Sequence, residues 1–380
     1  MAVAADDVRT ELTHRWDLVL LGAVLALTAL GALLVWSAAR SAPDQIGNPS
    51  ALLKKDLLTV AVGLVVLALV KAADYRTLRA YAPIAYGVSC VALLAVLSPL
   101  GSRVKGHHSW IQVGGGFQLQ PSEFAKVGLI MLLAAVLGEL RDGEEVPADR
   151  EQVIALGAAA VPIGLVLLQP DLGTIMVLSV IVFGVLALAG VQRIRLFGLV
   201  ATAVVGALAV WQFHLLKQYQ INRFIAFADP SADPAGAGYN ARQAKIAVGS
   251  GGIFGQGVLN GQQTGGHFVP EQHTDFVFTV AGEELGFAGA ALLVLLLGVV
   301  LWRGLRIATA CADPYGRLLA TGVVCWFAFQ GFENIGMTLG ITPVTGVPLP
   351  FVSYGGSATI ANLAAIGLLQ SVHARLRMFS

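Results

Sequence analysis

Glu271, His273 and Asp275 place two carboxylates and an imidazole within five positions, directly before an apolar run. That run starts at Phe276 and reaches about Val300, interrupted by Glu283 and Glu284. Ionisable groups at the mouth of a membrane helix are costly unless they face water, a partner or a substrate. Two chemistries are open to Asp275. It can cap the helix, as can Thr274, by accepting a backbone N–H. It can equally be a general base that takes a proton from a hydroxyl. Alternating residues of an extended segment point the same way, so Glu271 and His273 could join Asp275 around a divalent cation such as Mg or Mn. Ordinary polar loop contacts are the commoner use of such a pattern.

A second constellation is Glu123 and Lys126 in the stretch LQPSEFAK at 119–126. Pro121 suits the first position of a helix and Glu123 its positive end. Lys126 follows at i+3, a spacing that permits an intrahelical ion pair. That pair either neutralises itself to lower the cost of insertion or leaves Lys126 for a substrate phosphate. Upstream, Arg103, Lys105, His107, His108 and Trp110 make 101–120 basic and aromatic, which suits an anionic phosphate headgroup. A single Trp serves as well as an interfacial anchor. Asp171, between Gln169-Pro170 and Leu172-Gly173-Thr174, is another carboxylate at a helix start, where capping is the default.

Hydrophobic residues make up 56% of the 380-residue chain and charged residues 12%, too little polar surface for a soluble protein of this size. A bilayer core takes about 20 helical residues. Ten spans are expected, at 17–38, 56–73, 82–100, 121–139, 153–168, 172–189, 196–212, 276–302, 318–340 and 356–373. The fold class is therefore an all-α polytopic membrane protein, one integral membrane domain over 1–380. Ser37-Ala38-Ala39 resembles a cleavage site, but the run from Leu18 to Trp36 exceeds the roughly 7–15 residues of a signal-peptide core, so a retained first helix is expected. Pro170 and Asp171 argue for a turn between the fifth and sixth spans.

With the N-terminus in the cytoplasm, the expected inner segments collect the larger share of Lys and Arg, so both termini are expected inside. The long connections then lie outside: 101–120, the large loop 213–275 between spans seven and eight, and 341–355. The glycine-rich stretch 249–257 has neither the spacing nor the preceding strand of a dinucleotide site, and reads as loop flexibility or close backbone packing. Residues 343–357, rich in Pro and Gly, cannot form a regular helix and must be buried in protein or line a wet cavity. Three cysteines suggest no disulfide framework, and a net charge of +1 gives no sign of nucleic-acid binding.

Taken together, LQPSEFAK at 119–126, QPDLGT at 169–174, GGIFGQG at 251–257, PEQHTDFVF at 270–278, GEELG at 282–286 and NIGMTLGITPVTGVPLPFVSYGGS at 334–357 resemble the SEDS family (shape, elongation, division and sporulation). The motifs cover most of the chain in the family's order, and they lean to its elongation branch. Many members carry Arg before the first outer tryptophan, where this chain has Ser109.

The resemblance implies a processive, inverting glycosyltransferase that joins lipid II, an undecaprenyl-pyrophosphate-linked disaccharide-pentapeptide, into β-1,4 glycan on the outer face of the bacterial cytoplasmic membrane. It places the family's essential acid on Asp275 and its first-loop tryptophan on Trp110. An acceptor hydroxyl must lose a proton and a pyrophosphate must leave, so a base and an electropositive clamp suffice. Asp275 is the expected base. Arg223, Lys126, Lys105 and Arg103 are the expected clamp candidates, with a divalent cation as an optional aid. Trp110, Glu123, Asp171 and His273 complete the expected substrate contacts. A class B penicillin-binding protein is the expected partner. The rival readings are a lipid II flippase and a non-catalytic scaffold for such a transpeptidase. No internal repeat of the kind transporters show is evident between the two halves.

Overall fold

The computed structural model describes residues 16–40, 50–99, 101–104, 107–114, 117–139, 146–213, 218–229, 231, 233 and 236–376. In the first half, helices occupy Leu18–Arg40 (α1), Ser50–Ala72 (α2), Tyr75–Leu97 (α3), Pro121–Leu137 (α4), Asp149–Leu168 (α5), Leu172–Leu188 (α6) and Arg193–Gln212 (α7). The second half holds Gln218–Ala228 (α8), Ala237–Ser250 (α9), Gln262–Gly265 (α10), Val277–Val280 (α11), Gly286–Ala310 (α12), Pro314–Leu339 (α13) and Gly356–Ala374 (α14). Among the described residues, six stretches are long and apolar enough to cross a membrane: α1, α3, α5, α7, the Val277–Ala310 stretch and α13. A helix stands at each of the ten positions where the sequence suggests a span.

Burial is distributed as lipid solvent demands. Helix α7 buries no residue and exposes Ile194, Phe197, Val205 and Leu208. Helix α13 is buried along most of its length, including the polar Gln330, Glu333 and Asn334. An exposed apolar face of that extent belongs against lipid tails, and polar groups at membrane depth belong inside the bundle. The core is built around α13, which packs on α4, α6 and α12, while α14 packs on α2.

The all-α expectation needs a correction. Residues 101–119 form a three-stranded antiparallel sheet of Gly101–Val104 (β1), His107–Gly114 (β2) and Phe117–Leu119 (β3). Val104 pairs with His107, so two residues connect the first two strands, the hallmark of a tight hairpin. The apolar-run reading misses it because these strands are short and carry Arg and His. The sheet is fastened to α14: the Gln120 amide donates to Ser357 Oγ at 2.8 Å, and that hydroxyl donates to the Gln118 carbonyl at 3.3 Å.

The expected loop 213–275 is helical over α8, α9 and α10. The run that begins at Phe276 is also not one regular helix. A π-helical turn occupies Ala281–Leu285, and Gly286 has φ 67. The glycine-rich stretch explains this widening. The Gln256 and Gly257 amides donate to the Glu283 and Glu284 carbonyls, and the Phe287 and Ala288 amides donate to Gly252 and Ile253. A Cβ at Gly255 would stand 2.1 Å from the Glu284 carbonyl oxygen. Of the two readings of 249–257, close backbone packing is the one observed.

Candidate active site

Asp275 sits at the end of a tight turn whose centre is the Glu271 carbonyl, which accepts from the amides of Thr274, Asp275 and Phe276. Glu271 itself adopts φ 55, a left-handed conformation sparsely populated by residues with a side chain. The following helix α11 has Phe276 at its N-cap and no side-chain cap. Thr274 turns its hydroxyl back to Glu271.

Its surroundings come from distant parts of the chain. Gly340, at φ 73, ends α13, and Pro343, Pro348 and Pro350 keep the next segment out of helix. The carbonyls this irregular segment leaves over are taken by side chains of α13. Asn334 Nδ2 donates to the Asp275 carbonyl at 2.7 Å and to the Val347 carbonyl at 2.8 Å. Gln330 Nε2 donates to the Pro348 carbonyl at 2.8 Å. Asn334 thus ties the Asp275 backbone to the 343–350 segment, and Oδ2 of Asp275 lies against Gly346, 3.2 Å from where a Cβ there would stand.

Two further charged groups reach the same turn. Arg223, on α8, donates from Nη1 to the Thr345 carbonyl at 3.1 Å. Glu333 accepts from the Thr345 hydroxyl at 3.0 Å. Asp275, Glu333 and Arg223 therefore converge on Thr345–Gly346. Arg223 also shares a crevice with Lys245, Gly340, Thr342, Pro343 and Val344, so two cations line one recess beside Thr345.

His273 lies one contact away. Its carbonyl accepts from the Tyr354 amide at 2.8 Å, and the two rings are tilted at 6.0 Å. Burial, and then the negative charge of Asp56, push the Tyr354 hydroxyl above its ordinary pKa. Asp56 is only 5% exposed, so this carboxylate on α2 is a member of the neighbourhood.

The other expected residues take different places. Lys126 is 1% exposed and donates to Glu123 Oε1 at 2.8 Å and to Gln330 Oε1 at 2.9 Å, with its ammonium 4.6 Å from the Trp326 ring centroid. This is the internal pair, and through Gln330 it braces the 343–350 segment. Removing one partner strands a buried charge, at a cost of about 3–5 kcal/mol. Lys126→Met should accordingly lower the thermal unfolding midpoint in detergent, and adding Glu123→Gln should recover most of it. A double variant that regains stability and also polymerises normally would leave Lys126 no part in holding phosphate.

Asp171 caps α6, accepting from the Thr174 amide at 3.0 Å and the Thr174 hydroxyl at 2.8 Å, so its default role is the one observed. Trp110 is half-buried on β2 opposite Ser102, whose hydroxyl donates to the Trp110 carbonyl at 3.1 Å. The Arg103 side chain and Lys105 lie outside the described residues. Among the described residues, no group of three His, Cys, Asp or Glu is gathered for a metal.

Gln330, Glu333 and Asn334 escape the sequence reading although it holds their signal. Three polar residues at i, i+3 and i+4 inside an apolar span share one helix face and must turn inward. Asp56 and Lys245 carry no comparable signal.

A family described as "Cell cycle protein", typified by FtsW, RodA and SpoVE, matches residues 17–378. The peptidoglycan glycosyltransferase MrdB of Escherichia coli K12 is 38% identical over 357 residues, covering 94% of this chain and 93% of that protein. Stage V sporulation protein E of Bacillus subtilis is 37% identical, covering 94% and 96%. A solved chain from a study of how a peptidoglycan synthase complex coordinates polymerization and crosslinking superposes with a TM-score of 0.79 at 34% identity, covering 96% of this chain and 99% of that one. The rod shape determining protein RodA of Thermus thermophilus superposes at 0.69 with 31% identity, covering 96% and 98%.

Proposed function

This chain belongs to the FtsW, RodA and SpoVE family of cell cycle proteins and is a peptidoglycan glycosyltransferase, and we propose that Asp275 is the base of its reaction and Arg223 the clamp on its leaving group. The observation that carries this reading is their convergence from different elements on Thr345–Gly346. The donor is lipid II. Asp275 takes the proton from the acceptor 4-hydroxyl as that oxygen attacks the anomeric carbon, with inversion to a β-1,4 link. The polyprenyl pyrophosphate departs with growing negative charge, which Arg223 stabilises, aided by Lys245 in the same crevice. Asn334 and the turn around Glu271 hold the base in place.

A divalent cation, Mg or Mn, fits the oxygen-only character of Asp275 and Glu333 as a guest shared with substrate phosphates, since such ions are commonly held by one or two carboxylates. It would offset charge on the pyrophosphate. Glu271 is less suited, because its carboxylate faces Thr274.

The protein is a multi-pass membrane protein. Ten crossings, cytoplasmic termini and an extracytoplasmic site are the topology that fits both the charge distribution and this chemistry. Cysteine at Gly265 should react with an impermeant maleimide added to intact spheroplasts, and cysteine at Ala312 should stay protected until the membrane is opened. Both positions are exposed, so access alone decides the result, and reversed labelling overturns the orientation. The partner is a class B penicillin-binding protein and the role is in cell-wall elongation, in keeping with the likeness to MrdB and RodA.

The deciding assay is purified protein with lipid II and no other polymerase. Glycan strands support the reading. Transfer of lipid II across vesicles without glycan would make the protein a transporter, and neither result would make it a scaffold.

A further inference from the structure

A second polar cavity lies away from Asp275. It has a volume of about 290 Å³ and is lined by Ser37 and Arg40 of α1, Leu259, Gly261, Thr264 and Gly265 of the large loop, and Glu284 of the π turn. None of these residues lines the crevice of Arg223 and Lys245. Glu284 is 1% exposed. Its Oε1 accepts from the Ser37 hydroxyl at 2.5 Å. Its Oε2 has no full hydrogen-bond partner, although the Leu259 and Gly261 amides approach the carboxyl. The neighbouring Glu283 is fully engaged by the amides of Gln263 and Thr264 and by the Thr264 hydroxyl. The π turn thus sends one acid into the loop's hydrogen bonds and the other into the cavity. Arg40 also lines the cavity and is exposed, its guanidinium 5.7 Å from the Trp36 ring centroid.

The lining selects the chemistry of a guest. The volume equals that of roughly ten waters, far more than a bare ion needs. An anion would meet the Glu284 carboxylate and a cation would meet Arg40. A neutral hydroxyl satisfies both, because it donates to a carboxylate oxygen and accepts from a guanidinium. The Ser37 and Thr264 hydroxyls give their protons to Glu284 and Glu283, and their oxygens keep lone pairs that can accept from further hydroxyls or an acetamido N–H. Glu284 stands nine residues after Asp275, past the short helix α11 and inside the π turn.

From this we infer that the Arg40–Glu284 cavity is a sugar subsite that holds the glycan strand beyond the reacting residue. The inference rests on the glycosyltransferase reading and adds to it a means of keeping the polymer attached between additions. Holding a strand at a second point raises its effective concentration at the first, so the subsite governs strand length rather than bond formation.

The probe is a soluble β-1,4 tetrasaccharide of N-acetylglucosamine, followed by saturation-transfer NMR on the purified full-length protein in detergent. The tetrasaccharide should bind, and Arg40→Ala and Glu284→Gln should each weaken it about tenfold, the loss of one charge-assisted hydrogen bond. At equal lipid II consumption, both variants should also make glycan strands shorter by roughly threefold. Arg40 is exposed at the end of α1, so its truncation leaves the fold intact and carries the test alone if Glu284→Gln misfolds. Tetrasaccharide affinity and strand length both unchanged in a folded Arg40→Ala protein overturn the proposal. So does binding of glucosyl-diacylglycerol vesicles in place of the tetrasaccharide, which would make the cavity a glycolipid headgroup site. A parent protein that polymerises lipid II but does not bind the probe removes the subsite alone. One that binds the probe through Arg40 but never polymerises removes the glycosyltransferase reading and keeps the sugar site.

Discussion

Replacing Asp275 by Asn should lower polymerisation of lipid II at least about a hundredfold, the size expected for losing a positioned general base. Asn preserves the shape against Gly346 but cannot accept a proton at neutral pH. The backbone anchors are untouched, because Asn334 bonds the Asp275 carbonyl and the Glu271 carbonyl receives its amide. Expression, thermal midpoint and binding of lipid II should therefore stay close to the parent, with the loss confined to turnover. The assay is glycan formation by purified protein, with the unfolding midpoint measured alongside. Substantial glycan synthesis by a well-folded Asp275→Asn protein removes Asp275 from the mechanism.

Arg223→Ala should cut turnover by about 10- to 1,000-fold and affect substrate binding less. A contact to charge that develops as the pyrophosphate leaves is stronger in the transition state than in the ground state. The side chain also donates to Thr345, so its loss would loosen the turn on which Asp275 rests. Lys in its place separates the two effects. It restores a point charge but not the planar fork, and only part of the rate should return. The position of α8 favours the assignment: Phe224, Ile225 and Phe227 are exposed and apolar while Gln220 and Ala226 are buried. Such a helix suits the plane of a membrane surface with Arg223 at headgroup depth. If Arg223→Ala polymerises like the parent while Lys126→Ala or Lys105→Ala does not, the clamp lies with the first outer segment and α4.

The pair Glu123 and Lys126 shows how far local spacing reaches. The i, i+3 interval allows the ion pair, and the pair is present at 2.8 Å. The interval says nothing about the Gln330 carbonyl oxygen or the Trp326 ring that complete the shell of Lys126 and direct it inward. Asp171 is the opposite case, because a cap is satisfied within three residues and needs no tertiary information. The sheet at 101–119 was also legible in principle, but a search for long apolar runs passes over strands of three to eight residues.

Sequence by itself determined the membrane class, the positions of the main helices and the family. These follow from apolar run length and from motifs that are contiguous in the chain, both of which are local properties. The tertiary structure decided which charges meet. Arg223 and Asp275 are joined through Thr345–Gly346, Asn334 holds the Asp275 backbone from α13, and Glu284 faces α1 instead of Asp275. The last of these turns on the π-helical step at Ala281–Leu285, which changes the angular phase of every later side chain. That step exists because glycine backbone from 251–257 docks against it, and a contact between segments so far apart in the chain leaves no periodic trace in either one.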